Sequence, residues 1–73
     1  MDASALAQRG QALREQKRYA EAEEVYRQVV ALAPADHTGW ANLAEAALYQ
    51  SRYPEAEAAC RQAVALQPDN AIV

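Results

Sequence analysis

The sequence predicts an all-α fold in which two antiparallel helical hairpins, four helices in all, stack in a right-handed arrangement. The first observation is an internal duplication: a shift of 34 residues makes fourteen of the 34 pairs between residues 3–36 and 37–70 identical. The second is composition, since alanine supplies 19 of 73 residues and glycine only two, which favours helix. A period of this length without a strand signal indicates stacked helix pairs.

The helix boundaries follow from capping residues and prolines. Asp2, Asp36 and Asn70 recur on the 34-residue step, and each has a short acceptor suited to the free N–H groups of a first helical turn. Pro34 and Pro68 precede two of them and cannot continue a helix. The predicted helices are roughly Ala3–Gln16, Tyr19–Ala33, His37–Gln50 and Pro54–Gln67.

Apolar residues at helical spacing predict the core. In the second helix of each unit they are Ala22, Val25, Tyr26, Val29, Val30 and Leu32, matched by Ala56, Ala59, Cys60, Ala63, Val64 and Leu66. Cys60 is thus predicted to be a small buried hydrophobe. The repeated pairs of Glu23 with Arg27 and of Glu57 with Arg61 have favourable i, i+4 spacing, and are interpreted as solvated helix faces.

Composition and residue inventory exclude several classes of function. The net charge of −3, with dispersed arginines, argues against nucleic-acid binding, and no apolar run approaches the ~20 residues of a membrane span. His37 is the one histidine and Cys60 the one cysteine, so the chain lacks the ligand sets of metal sites and the triads of nucleophilic enzymes. We expect no catalytic residue, metal or cofactor, and the free cysteine suggests a cytoplasmic location.

The repeated motif resembles the tetratricopeptide repeat, a helix–turn–helix unit of 34 residues with the pattern W-x2-L-G-x2-Y, A-x3-F, P. The second unit matches it with Trp40, Leu43, Ala44, Ala47, Ala56, Cys60 and Pro68. The first unit matches it with Leu6, Arg9, Gly10, Leu13, Ala22, Tyr26 and Pro34. The resemblance covers nearly the whole chain, which we interpret as one domain spanning residues 1–73.

The resemblance divides that domain into repeat one, about residues 3–36, and repeat two, about residues 37–70. Residues 71–73 resemble the start of a truncated further helix, so the chain looks like part of a longer array or like one lacking its final helix. Arg9 stands in the usual leucine position, which hints that the first helix is an edge facing water. The hairpin-turn glycine is replaced by Lys17 and Ser51, so the geometry of the turns stays open.

The family resemblance implies a protein–protein interaction module, a scaffold or adaptor whose first helices line a concave groove. The candidate groove residues are Gln11, Arg14, Thr38, Asn42, Glu45, Leu48 and Tyr49. Leu48 and Tyr49 are the expected anchors. Some family members hold a carboxylate terminus with lysine and asparagine, and only Asn42 matches that clamp, so we expect a neutral or mildly basic peptide.

Two alternatives stay open: a self-assembly module, and a substrate-docking appendage of a larger enzyme. Each repeat buries its core partly against its neighbour, so a two-repeat stack leaves apolar ends. The predicted self-association edge consists of Val64, Leu66, Ile72 and Val73. We expect a homodimer or higher assembly at high concentration.

Overall fold

The protein folds into consecutive antiparallel helices, each packed on the next one along the chain. The computed structural model describes residues 2–66, and this part of the chain contains four helices and no strand. They are α1 (Ala3–Glu15), α2 (Tyr19–Leu32), α3 (His37–Leu48) and α4 (Tyr53–Leu66). The all-α prediction is confirmed, and the predicted boundaries agree within two residues. The cap at Asn70, the break at Pro68 and the start of a further helix lie outside the described residues.

Two of the three predicted caps are present in the described residues. Asp2 Oδ1 accepts a hydrogen bond from the Ala5 amide at 2.8 Å, and Asp36 Oδ1 accepts one from the Thr38 amide at 2.9 Å. Each carboxylate satisfies an N–H group that has no partner within its helix and also opposes the positive end of the helix dipole. Helix α4 begins at Tyr53, one residue before the predicted start, and Pro54 lies in its first turn, where proline is tolerated.

The two hairpin turns share a left-handed residue that is not glycine. Lys17 has φ 63° and Ser51 has φ 61°. In the first turn the Arg18 amide donates to the Leu13 carbonyl and the Lys17 amide to the Arg14 carbonyl, both at 2.9 Å. The second turn repeats both bonds. This is the Schellman arrangement, which normally favours glycine at the left-handed position. The sequence did not predict the geometry of these turns. The structure shows that Lys17 and Ser51 both adopt the left-handed conformation that glycine usually adopts there.

We therefore predict that Lys17→Gly and Ser51→Gly each raise the free energy of unfolding by about 1 kcal/mol, because glycine removes the steric cost of the left-handed conformation. Urea denaturation measures the change. Gln11→Gly, at an exposed position inside α1, is the control and should lower stability by about 1 kcal/mol. Destabilisation by all three substitutions would contradict the prediction.

The ring of Tyr26 forms the centre of the core. Tyr26 is 0% exposed and packs with Leu6, Ala22, Val25, Val29 and Ala46 of α1, α2 and α3. A Cβ atom on Gly10 would come within 2.7 Å of Tyr26 Cε1, so only glycine lets α1 approach this ring. The first repeat therefore depends on a specific glycine–tyrosine pair.

The second repeat lacks this pair, since Ala44 and Cys60 stand 34 residues after Gly10 and Tyr26. Cys60 is exposed, so its prediction as a buried hydrophobe is wrong. Leu32, Val64 and Leu66 are exposed too, at 56%, 47% and 39%. For Cys60, Val64 and Leu66 the reason is that no helix follows α4 within the described residues, whereas α3 covers the core face of α2. Leu32, the last residue of α2, is exposed although α3 packs on that helix.

The Tyr26 hydroxyl is buried and has no hydrogen-bond partner among the described residues. Its burial raises the pKa of the phenol above the ordinary 10.0; nearby Arg14 lowers it, and Glu45 and Glu15 raise it. Because the folded-state pKa is the higher one, the neutral phenol contributes stability that is fully present below pH 10 and is lost as the pH rises through the folded value. A buried hydroxyl without a partner also costs free energy at every pH.

Replacement Tyr26→Phe should therefore raise the free energy of unfolding by about 1 kcal/mol at pH 8, and by more at pH 11, where only the wild type ionises on unfolding. Urea denaturation at the two pH values measures both effects. Tyr53→Phe, at a tyrosine that is 61% exposed, is the control for loss of a hydroxyl. If the stability gain from Tyr26→Phe were the same at pH 8 and at pH 11, burial could not be raising the pKa of the Tyr26 phenol.

Candidate peptide-binding face

Small side chains of α1 and α3 leave a hollow between the two helices. It has a volume of about 260 Å³, and we call it the α1–α3 hollow. Its lining residues are Ala3, Ser4, Ala7, Val29, Asp36, Thr38, Gly39 and Asn42. Three of the eight lining residues are alanine or glycine, and these small side chains would let an extended chain approach the helix backbones closely.

Next to the hollow, three of the predicted groove residues form a polar cluster. Arg14 Nη1 donates to Glu45 Oε1 and, at 3.5 Å, to Asn42 Oδ1. The side chain of Arg14 is 27% exposed and that of Glu45 is 42% exposed. These three residues were predicted to line a peptide groove, and the structure shows that they bind each other across the two repeats. The charge of Arg14 is thereby neutralised in place.

The two predicted anchors lie at the C-terminal end of α3 and face different sides of it: Leu48 is its last residue and Tyr49 its C-cap. Tyr49 is 58% exposed and its ring stacks on that of Tyr19, with centroids 4.7 Å apart and planes inclined by 20°. Leu48 is 52% exposed and faces a different groove. Thr38 and Asn42 line the hollow, and Gln11 is exposed on α1. The seven predicted residues therefore do not form one pocket.

The groove that Leu48 faces lies between α3 and α4, and we call it the end groove. It has a volume of about 440 Å³ and a mainly apolar lining: Ala44, Glu45, Leu48, Tyr53, Ala56, Glu57 and Cys60. A shallower depression continues it along α4, past Glu57, Cys60, Arg61, Val64 and Ala65. Of the predicted self-association edge, Val64 and Leu66 are exposed here, while Ile72 and Val73 lie outside the described residues.

A buried carboxylate joins the two repeats, and sequence reasoning missed it. Glu23 is 2% exposed. Its Oε1 accepts hydrogen bonds from Gln50 Nε2 and Arg52 Nη1, and its Oε2 accepts one from Arg27 Nη2, each at 2.7 Å. The interpretation of Glu23 and Arg27 as a solvated pair is wrong, because the turn between α3 and α4 covers the carboxylate.

The available signal was the recurrence of three polar residues. Gln16, Arg18 and Glu23 of the first repeat are all unchanged in the second, at Gln50, Arg52 and Glu57. Exposed polar positions with no partner would not need to match so closely. Identity at all three positions is consistent with a contact between repeats, and the structure forms it once, from Glu23 to Gln50 and Arg52.

The geometry agrees with comparison against known proteins. A family model described as tetratricopeptide repeat matches residues 7–71. The chain belongs to the tetratricopeptide repeat family. Comparison with curated proteins and with solved structures finds no significant match. Tetratricopeptide repeats generally mediate protein–protein interaction and are typically non-catalytic.

Metal sites and membrane-spanning helices are two further features that a tetratricopeptide repeat chain could carry. Within residues 2–66, no three potential metal ligands among histidine, cysteine, aspartate and glutamate come together. None of the helices in the same range combines the length and apolarity that crossing a bilayer requires.

Glu23 and Glu57 occupy equivalent positions in the two repeats, but their replacement should change the free energy of unfolding by very different amounts. Glu23→Ala should lower the free energy of unfolding by about 2 kcal/mol, because it leaves Arg27 and Arg52 without their buried acceptor. Glu57→Ala removes a residue with a side chain that is 66% exposed and should change stability by less than about 0.5 kcal/mol. Urea denaturation in dilute solution measures both.

A double-mutant cycle of Glu23→Ala with Arg52→Ala isolates the link between the repeats. The coupling should be about 1 kcal/mol or more, since one partner is buried. Equal losses at Glu23 and Glu57, or an uncoupled cycle, would contradict the structural role of this carboxylate.

Proposed function

We propose that the chain is a non-catalytic interaction module that holds an extended, neutral or mildly basic peptide segment of a partner protein along α1 and α3. The observation that carries this proposal is the polar cluster. Arg14 supplies positive charge on this face, and Glu45 neutralises it through a direct ion pair. A partner carboxylate would have to compete with Glu45 for the guanidinium.

The remaining charge near the hollow also disfavours an acidic ligand. Asp36 lines the hollow, and the chain as a whole has a net charge of −3. An acidic peptide would lose hydration on entering this face and would gain little compensating attraction. Uncharged and basic segments do not meet that penalty.

The shape of the face supports backbone recognition combined with one aromatic anchor, Tyr49. The small residues Ala3, Ala7 and Gly39 let a peptide backbone approach the helices, and Thr38 offers a hydroxyl beside them. Tyr49 is exposed but held in place by its stacking on Tyr19, so binding would cost little additional ordering of its ring. Exposed aromatic side chains held in this way commonly contribute much of the binding free energy at interfaces.

A panel of peptides with equal length and apolar content, but with acidic, neutral or basic termini, tests the charge preference. Isothermal titration calorimetry should show the neutral and basic peptides binding about tenfold more tightly than the acidic one, a difference of ~1.4 kcal/mol. Glu45→Gln removes the carboxylate that pairs with Arg14 and should reduce the difference in affinity between the acidic peptide and the others. Tightest binding of the acidic peptide by the wild type would refute the assignment.

The anchor is tested by Tyr49→Ala, which should weaken the best peptide of the panel by about 1–2 kcal/mol. Leu32→Ala is the matched control, since Leu32 is 56% exposed but lies on α2. Thermal unfolding separates lost binding from lost stability, because Tyr49→Ala also removes the contact with Tyr19. Unchanged affinity in Tyr49→Ala would show that the peptide lies elsewhere.

A further inference from the structure

Within residues 2–66, the surface of α2 that α3 covers has a counterpart on repeat two that no helix covers. Inside the chain, α3 packs on α2 beside Ala22 and Tyr26, and the turn after α3 covers Glu23. The end groove consists of the equivalent surface of repeat two. We propose that the end groove binds α1 of a second copy of this chain, head to tail, by repeating the contact that α3 makes with α2. This inference does not depend on the proposed peptide site.

Charge complementarity between the two ends of the chain is the first support. Glu57 corresponds to Glu23, but its side chain is 66% exposed and contacts only Arg61, at 3.3 Å, among the ion pairs of the described residues. At the other end, Arg18 corresponds to Arg52, is 51% exposed and pairs with Glu21 at 2.6 Å. Arg52 likewise lies 3.6 Å from Glu55, the equivalent of Glu21, while it holds Glu23 at 2.7 Å. A repeated α2–α3 contact would bring Gln16 and Arg18 of the second copy to Glu57.

Steric complementarity is the second support. Gly39 of α3 faces Val29 and Val30, and a Cβ atom there would lie 3.2 Å from a γ-carbon of each. The corresponding residue of α1 is Ala5, which has that extra methyl group. The equivalent surface on α4 carries Ala63 in place of Val29. The two γ-carbons of valine are therefore missing at the place where Ala5 adds one methyl group.

A second exchange of size occurs at the same contact. Arg9 of α1 corresponds to Leu43 of α3, and Cys60 of α4 corresponds to Tyr26 of α2. The longer side chain on α1 would therefore meet the smaller one on α4, and the side of α1 that Arg9 was expected to turn toward water would instead face a second copy. Ala12, exposed on α1, corresponds to Ala46, which is 0% exposed in the internal contact. At this position α1 thus has the same small side chain that α3 packs against α2.

The end groove is also apolar enough to favour such a partner. Leu48 and Tyr53 line it at 52% and 61% exposure, and Val64 continues the surface along α4 at 47%. A head-to-tail contact of this kind is heterologous, so it does not close at two copies and extends into open chains.

Sedimentation velocity of the full chain over a concentration series tests the proposal. The average mass should rise from the 8.0 kDa monomer past the dimer as concentration approaches the millimolar range. Arg18→Glu alone and Glu57→Arg alone should each weaken association about tenfold, because each places like charges opposite one another. An equimolar mixture of the two variants should restore it, because each contact then again joins opposite charges.

Ala12→Arg adds a steric test that does not depend on charge pairing. It should abolish association, since the larger side chain cannot fit where Ala46 is buried in the internal contact. Ala35→Arg, in the exposed turn between α2 and α3, adds the same charge away from both ends and should associate like the wild type. Far-ultraviolet circular dichroism confirms that each variant is folded.

Three outcomes would overturn the proposal. A wild-type monomer at millimolar concentration would show that the end groove is not occupied by a second copy. Association insensitive to Arg18→Glu and Ala12→Arg would indicate a symmetric contact between α4 helices, without α1. Failure of the mixed variants to associate would show that Arg18 and Glu57 do not meet.

Discussion

The structure depends on the packing of one aromatic ring against one glycine. Tyr26 is fully buried among α1, α2 and α3, and Gly10 allows α1 to come close enough to cover it. Much of the buried apolar surface of the chain gathers around this ring, and apolar burial is the main favourable term in folding. The second repeat has neither member of the pair. Its stability therefore rests on its contact with the first repeat, and the two repeats are unequal in spite of their similar sequences.

Local signals in the sequence predicted the helices well. The helix positions, the caps at Asp2 and Asp36 and the breaks between helices follow from residues that lie within one or two turns of each other. The left-handed turns at Lys17 and Ser51 were harder to predict, because neither residue type favours that conformation. There the hydrogen bonds that end the helix outweigh a local steric preference.

Contacts between repeats were less visible in the sequence, for a physical reason. Helical periodicity indicates which side chains share a face, but not which face a later helix covers. Glu23 was expected to be solvated because its i, i+4 partner is charged, yet its burial is caused by Gln50 and Arg52, which lie in the next repeat. The same limitation affected the candidate face. Its residues were placed on the correct helices, but the pairing of Arg14 with Glu45 and the turning of Leu48 toward α4 depend on how the repeats are set against each other.

The turn after α3 connects backbone torsion with the shape of the stack. Gln50 and Arg52 flank Ser51, and both reach the Glu23 carboxylate across the reversal that the positive φ of Ser51 creates. One torsion angle at a surface serine thus orients the two side chains that fix repeat two on repeat one. In an array built from such units, the pitch of the superhelix would be set partly by these exposed turns. Curvature could then be adjusted by substitutions at the surface, with the hydrophobic core unchanged.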